Sequence, residues 1–386
     1  MMTNEFPTST PEEELKASHN YREQIQERAI TDLTNPFRLL ADSDELEKLI
    51  KSFKDKIREK LQISLSHLSS KEIDELICGL AERRFQTTKY DGQLGHLIIE
   101  TISTDVEQEA KKIGLDLRSG VSYGVDYISD ESAQISPTHG YSTTSVMLVT
   151  LGFIDFCHVA AKLLAMTFPT HADVEGILVS HSAQDVIEQL KKNRQLCEIW
   201  RKWLIGESTF QSQLDRLNLT PEQLHTYTTL LYSMEYFAVA HEYGHHIDAH
   251  SLMGVADSEG IGEESSYLEE LKADSIALRI SNSFFSRKNN LYGKFGAGAI
   301  IFFALRDIAR RAKCLKIQGN VGPNSDGVHP PIQVRIDALI SETTKYLSSD
   351  ELKYYSTFIS NVIQSLTVIQ EIFLGSIAKK DKLSDS

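Results

Sequence analysis

At 386 residues, 41% apolar and 24% charged, the chain is long enough to bury a sizeable core and too apolar to be disordered as a whole. A formal net charge of −14 argues against a nucleic-acid partner, because phosphate binding needs clustered Lys and Arg, and it disfavours an anionic membrane surface. The four cysteines are far apart and form no C-x-x-C pair, as expected of reduced thiols in a cytoplasmic protein.

The first 14 residues show neither a basic nor an apolar signal region, and residues 1–20, polar with Pro and Glu, read as a flexible tail. Residues 21–125 read as an N-terminal helical region without chemistry of its own. In 44–61 the apolar positions Leu46, Leu49, Ile50, Phe53, Ile57 and Leu61 follow the helical period. Ser69 and Glu72 form a capping signature ahead of Ile73, Leu76, Ile77 and Leu80, and a third helix is expected from about His96 to Lys112, ending at Gly114.

A catalytic domain is expected over 126–345, beginning with loops and short strands. Val146, Met147, Leu148 and Val149 form a β-prone run followed by a helix, and are read as an edge strand able to pair with an extended substrate. Residues 170–219 read as an insertion whose His171, His181, Trp200 and Trp203 receive no functional role. No apolar run approaches the roughly 20 residues that span a bilayer, so no membrane span is expected.

Residues 231–250, LYSMEYFAVAHEYGHHIDAH, organise the rest. Thr220-Pro221-Glu222-Gln223 is a capping box with proline at the first helical position, and the apolar stripe that follows places the segment on a helix. In H-E-Y-G-H, His241 and His245 are four apart and point from one helical face toward one point, while Glu242 is placed to act on a water as general base. Downstream, Glu270 and Asp274 share the face of a second helix. Glu270 is read as the third ligand and Asp274 as the hydrogen-bond partner of a ligand histidine, with small Ala273 allowing close approach. His246 and His250 are read as solvated or supporting, not as a second metal site.

H-E-Y-G-H, then E-x-x-A-D, then His329-Pro330-Pro331-Ile332-Gln333-Val334-Arg335-Ile336 resembles the gluzincin metallopeptidases, in the group of the CAAX prenyl endopeptidases and HtpX-like proteases. The resemblance covers about 135–340. It implies that His329 steadies an oxyanion and that Arg335 holds the Glu270 carboxylate. The membrane helices of that group are missing from the sequence pattern, and its Asn-Ala-aromatic stretch has no clear counterpart near His139-Gly140-Tyr141.

The expected fold is therefore α+β and predominantly helical, a zincin-like domain with an N-terminal helical region and a C-terminal packing helix and tail over 346–386, capped by Ser348 and Glu351. The expected function is zinc-dependent hydrolysis of peptide bonds in cytoplasmic protein substrates, with one Zn²⁺ per chain. Alternatives from other classes are a Lit-like phage-exclusion protease with one dedicated target, a metal-binding regulatory protein retaining the site, and a non-peptidase zinc hydrolase. Oligomeric state, substrate and control are not legible.

Overall fold

A computed structural model of the protein describes residues 10–32, 93–126, 133–138, 141–173, 176–248, 263–323 and 329–384. The helices expected at 44–61 and 73–80, and also Cys78, His139-Gly140, His250 and the Gly254–Gly262 loop, lie outside these residues. In chain order the elements are α1 (Pro11–Asp32), α2 (Gln93–Lys112), β1 (Gly120–Asp126), β2 (Ala133–Thr138), β3 (Tyr141–Thr150) and α3 (Leu151–Thr167). The hairpin β4 (Thr170–Asp173) and β5 (Gly176–Val179) precedes α4 (Ala183–Lys192), α5 (Arg194–Leu204) and α6 (Phe210–Asp215). Then come α7 (Pro221–Ile247), α8 (Glu263–Ser286), α9 (Leu291–Lys294), α10 (Ala297–Gln318), α11 (Ile332–Thr344) and α12 (Ser349–Ser384). The fold is α+β, predominantly helical, with a small mixed sheet.

Helix α7 starts where the sequence says it should. Thr220 accepts from the Gln223 amide, the Gln223 side chain accepts from the Thr220 amide, and Pro221 occupies the first turn. The helix carries its buried side chains all round rather than on one stripe, from Met234, Tyr236 and Val239 to Tyr243, because neighbours surround it. Two of these neighbours come unusually close. A Cβ built on Gly244 would sit 2.7 Å from the Ala273 carbonyl oxygen and 2.8 Å from its Cα, and one on Gly298 would sit 2.6 Å from the Ser233 Cβ. Backbones of α7 and α8, and of α7 and α10, therefore touch with no side chain between them.

The strand expected at a sheet edge lies in the middle. Strand order is β1-β3-β2, with β1 parallel and β2 antiparallel to β3, and Leu148 stands opposite both Gly124 and Gln134. Val146, Met147 and Val149 are buried, so this run is unalternating because both faces of the strand are covered. The edge on the α7 side is β2, where Gln134 and Ser136 are exposed and where Pro137, which has no amide to give a ladder, is tolerated.

Residues 11–20 are helical, correcting the reading of 1–20 as a flexible tail. Thr10 and Glu13 form a reciprocal cap around Pro11, and α1 lies against β1 and β3. Over residues 11–27 its buried positions are the polar Ser18, Arg22 and Gln26; Ser18 Oγ donates to the Ser145 carbonyl and Gln26 Nε2 to that of Val125. That polar face hid the helix from a search for apolar periodicity. Nor does the described part of the N-terminal region stand apart: β1 completes the central sheet, and α2 is tied to α7 by Tyr232–Asp105 and Tyr243–Glu107 hydrogen bonds and to α8 by the Glu109–Arg287 ion pair.

The 170–219 segment joins the same core. Trp200 is fully buried and donates to Thr167 Oγ1 at 2.9 Å, and Trp203 packs against Phe156. Helix α12 buries Tyr355, Phe358, Ile359, Val362, Leu366, Ile369 and Phe373. Its segment Ser349–Ala378 also passes a length-and-composition test for a membrane-crossing helix, which the expectation from shorter apolar runs did not include.

The two kinds of glycine in these helices give opposite expectations for one substitution. Gly244→Ala should destabilise by about 1–3 kcal/mol, since the methyl must push α8 away, whereas Gly375→Ala, with nothing within 4 Å of the new Cβ, should stabilise by up to about 1 kcal/mol through helix propensity. Urea midpoints of the two variants check both signs.

Candidate metal centre

About six helical turns from its cap, α7 delivers His241 and His245 to one side, and the close contact at Gly244 brings α8 beside them. Glu270 lies one turn before Asp274 on α8, so its carboxylate reaches both rings. His241 Nε2 and His245 Nε2 are 3.1 Å apart, Glu270 Oε2 is 3.5 Å from the first and Glu270 Oε1 is 3.3 Å from the second. A tetrahedral zinc with bonds of 2.0–2.1 Å separates its ligand atoms by about 3.3–3.4 Å, and these pairwise spacings lie around that value, with one Glu270 oxygen beside each ring. Among the described residues this is the one His/Cys/Asp/Glu group whose donors converge closely enough to hold a metal ion. Glu270 Oε2 is buried and makes no hydrogen bond, its charge being met by ion-pair contacts at 3.3 Å or longer, which leaves the oxygen free to serve as a ligand.

The support beneath this triangle is a buried charge network. Asp274 Oδ1 lies 2.9 Å from His241 Nδ1, which fixes the ring with Nε2 toward the triangle. Arg335 on α11 grips Asp274 with two parallel bonds, Nε to Oδ2 at 2.8 Å and Nη2 to Oδ1 at 2.7 Å, and reaches Glu270 Oε2 with Nη1 at 3.3 Å. Its main partner is thus Asp274, with Glu270 second, where the family resemblance implied Glu270. The guanidinium lies 4.0 Å over the ring of Phe303, a residue on α10 that the sequence reading did not single out. An adjacent pair of aromatics in a buried helix was the only available signal.

Burial alone would depress His241, but the Asp274 and Glu270 carboxylates outweigh it and push its pKa up to about 10. Burial raises Glu270 and Asp274 too, and for both the imidazole and guanidinium partners more than compensate, holding Glu270 well below the carboxylate range and lowering Asp274. Glu242 goes the other way. It is 8% exposed, and burial lifts its pKa against the pull of the two histidines and of the Ile135 backbone amide, which donates to its carboxylate. That amide is on β2, so the strand edge and Glu242 meet.

His329, half-buried just ahead of α11, is not one of the converging donors. His246 is fully buried, not solvated. Its Nε2 donates to the Leu117 carbonyl at 2.8 Å, and Nδ1 faces Ser145 Oγ at 2.9 Å, so it fastens α7 to the sheet. Burial lowers its pKa to about 4. No family model, no curated protein and no solved structure matches the chain.

Titration calorimetry with zinc separates ligand from support. His245→Ala should lose the bound equivalent. Arg335→Ala should bind about 10–100-fold more weakly and unfold about 3–5 kcal/mol more easily, because it leaves the buried Asp274 with only the His241 ring as partner; Arg335→Lys, lacking the fork, should recover only part of either loss.

Proposed function

We propose that the chain is a zinc-dependent endopeptidase of zincin-like architecture, acting on protein or peptide substrates. The observation that carries this reading is the triangle of His241 Nε2, His245 Nε2 and Glu270 with Glu242 next to it in sequence, buried, and held by the amide of a sheet edge. A purely structural metal site has no use for such a base, and a three-residue donor set leaves room for a reacting group.

Zinc, when bound, supplies a Lewis acid that polarises the scissile carbonyl and brings the pKa of a water toward about 7. Glu242 Oε takes the proton from the attacking water and returns it to the leaving amine; its raised pKa suits both halves of that transfer. Asp274 and Arg335 hold His241 in the tautomer that presents Nε2. By the family resemblance, His329 donates to the developing oxyanion.

The substrate backbone runs along β2 in this reading, replacing the β3 run Val146 to Val149. Ile135 turns its amide away from β3 toward Glu242, and Ala133, two residues earlier, offers its backbone groups on the same side. An extended peptide laid against that edge crosses the metal triangle next to the base.

Glu242→Gln should keep zinc and fold while kcat/KM for a quenched-fluorescence peptide falls by about 10²–10⁴-fold; near-normal turnover would remove Glu242 from the chemistry.

The strand assignment has its own check by proline. At Leu148, opposite residues on both sides, proline should prevent folding; at Ile135 it should spare the ladder, leave zinc bound and lower kcat/KM by at least about tenfold. Circular dichroism, zinc content and peptide cleavage distinguish these outcomes.

A further inference from the structure

Seven residues before Glu242, α7 carries a second buried acid. Seven helical residues turn through two revolutions less about 20° and advance about 10 Å, so Glu235 lies on the Glu242 face two turns nearer the N-terminus of α7. It is 5% exposed. Its carboxyl makes no hydrogen bond or ion pair among the described residues, unlike Glu242, Glu270 and Asp274, each of which has a named partner. Its surroundings include the phenols of Tyr227 and Tyr232, both raised in part by its charge; Tyr227 OH is bonded to His158 Nδ1 at 2.7 Å and Tyr232 OH to Asp105 at 2.5 Å, so both hydroxyls are engaged elsewhere.

A buried carboxyl with no partner costs folding free energy that any aliphatic residue would avoid. Its place along the helix gives that cost a use. Three residues of extended chain also cover about 10 Å, so a peptide that runs along α7 with its scissile bond beside Glu242 brings a side chain three residues away to the level of Glu235. We propose that Glu235 is the recognition group for a cationic side chain, lysine or arginine, of the bound peptide at that position. The proposal rests on the peptidase reading for its register but not for its binding chemistry. A cation is the complement that would satisfy the acid, and the chain's net charge of −14 steers cationic peptides toward it. Burial lifts the acid to about 8, and an incoming ammonium or guanidinium would draw it back to the charged form.

The test uses the full-length, zinc-loaded Glu242→Gln protein, which holds peptides without cutting them. Fluorescein-labelled decapeptides of one neutral sequence, with a single Lys or Gln moved through each position, are titrated by anisotropy. Expected is one position where Lys binds at least about tenfold more tightly than Gln, and loss of that ratio in Glu242→Gln/Glu235→Gln. Equal binding of Lys and Gln at every position, a ratio that survives Glu235→Gln, or no binding of any peptide would each overturn the proposal. A Lys preference that depends on Glu235, combined with no cleavage by the unmodified chain, would uphold the recognition group and sink the peptidase reading. Cleavage without such a preference would do the reverse.

Discussion

Backbone contact between α7 and α8 at Gly244 and Ala273 is the constraint from which the site follows. With a Cβ at position 244 the two helix backbones could not approach as they do. Glu270 sits three residues before Ala273, one turn away, and that proximity is what lets a short carboxylate touch both imidazoles. Gly298 repeats the device against Ser233, seating α10 close enough for Phe303 to lie beneath Arg335. The donor triangle is therefore a product of helix packing more than of any loop, which suits a site needing sub-ångström placement.

Much of this was legible because helix grammar is local. Thr220 to Gln223 gives the start of α7, Ser348 and Glu351 cap α12, and the four-residue spacings 241/245 and 270/274 define faces without knowledge of the fold. The donor set itself could be read at that level. Less visible were features that depend on what lies across a gap. Thr10-Pro11-Glu12-Glu13 has the same cap grammar as Thr220-Pro221-Glu222-Gln223, yet the helix behind it buries Ser18, Arg22 and Gln26 and so has no apolar stripe. Tertiary partners, in the form of strand carbonyls, make that face buriable.

The sheet illustrates the same limit. An unbroken apolar run, Val146 to Val149, belongs to a strand covered on both faces, while the proline in Ala133 to Thr138 is the mark of an edge. Both clues were present and pointed to β2, but neither says which strand faces α7. That depends on the Ile135 amide meeting Glu242, a contact between residues over a hundred positions apart. His246 was obscured similarly: its adjacency to His245 suggested solvent or support, and only the Leu117 carbonyl and Ser145 hydroxyl explain its complete burial.

Charge balance in the buried cluster links these parts. Asp274 and Glu270 are held as carboxylates, and Arg335 offsets one of them. The same carboxylates raise His241, and burial raises Glu242. A divalent cation held by His241, His245 and Glu270 would require neutral imidazoles, and its positive charge would favour the ionised form of Glu242. On the proposed reading, ion capture would also ready Glu242 as a base, and the packing at Gly244 is what keeps the groups near enough for each to feel the other.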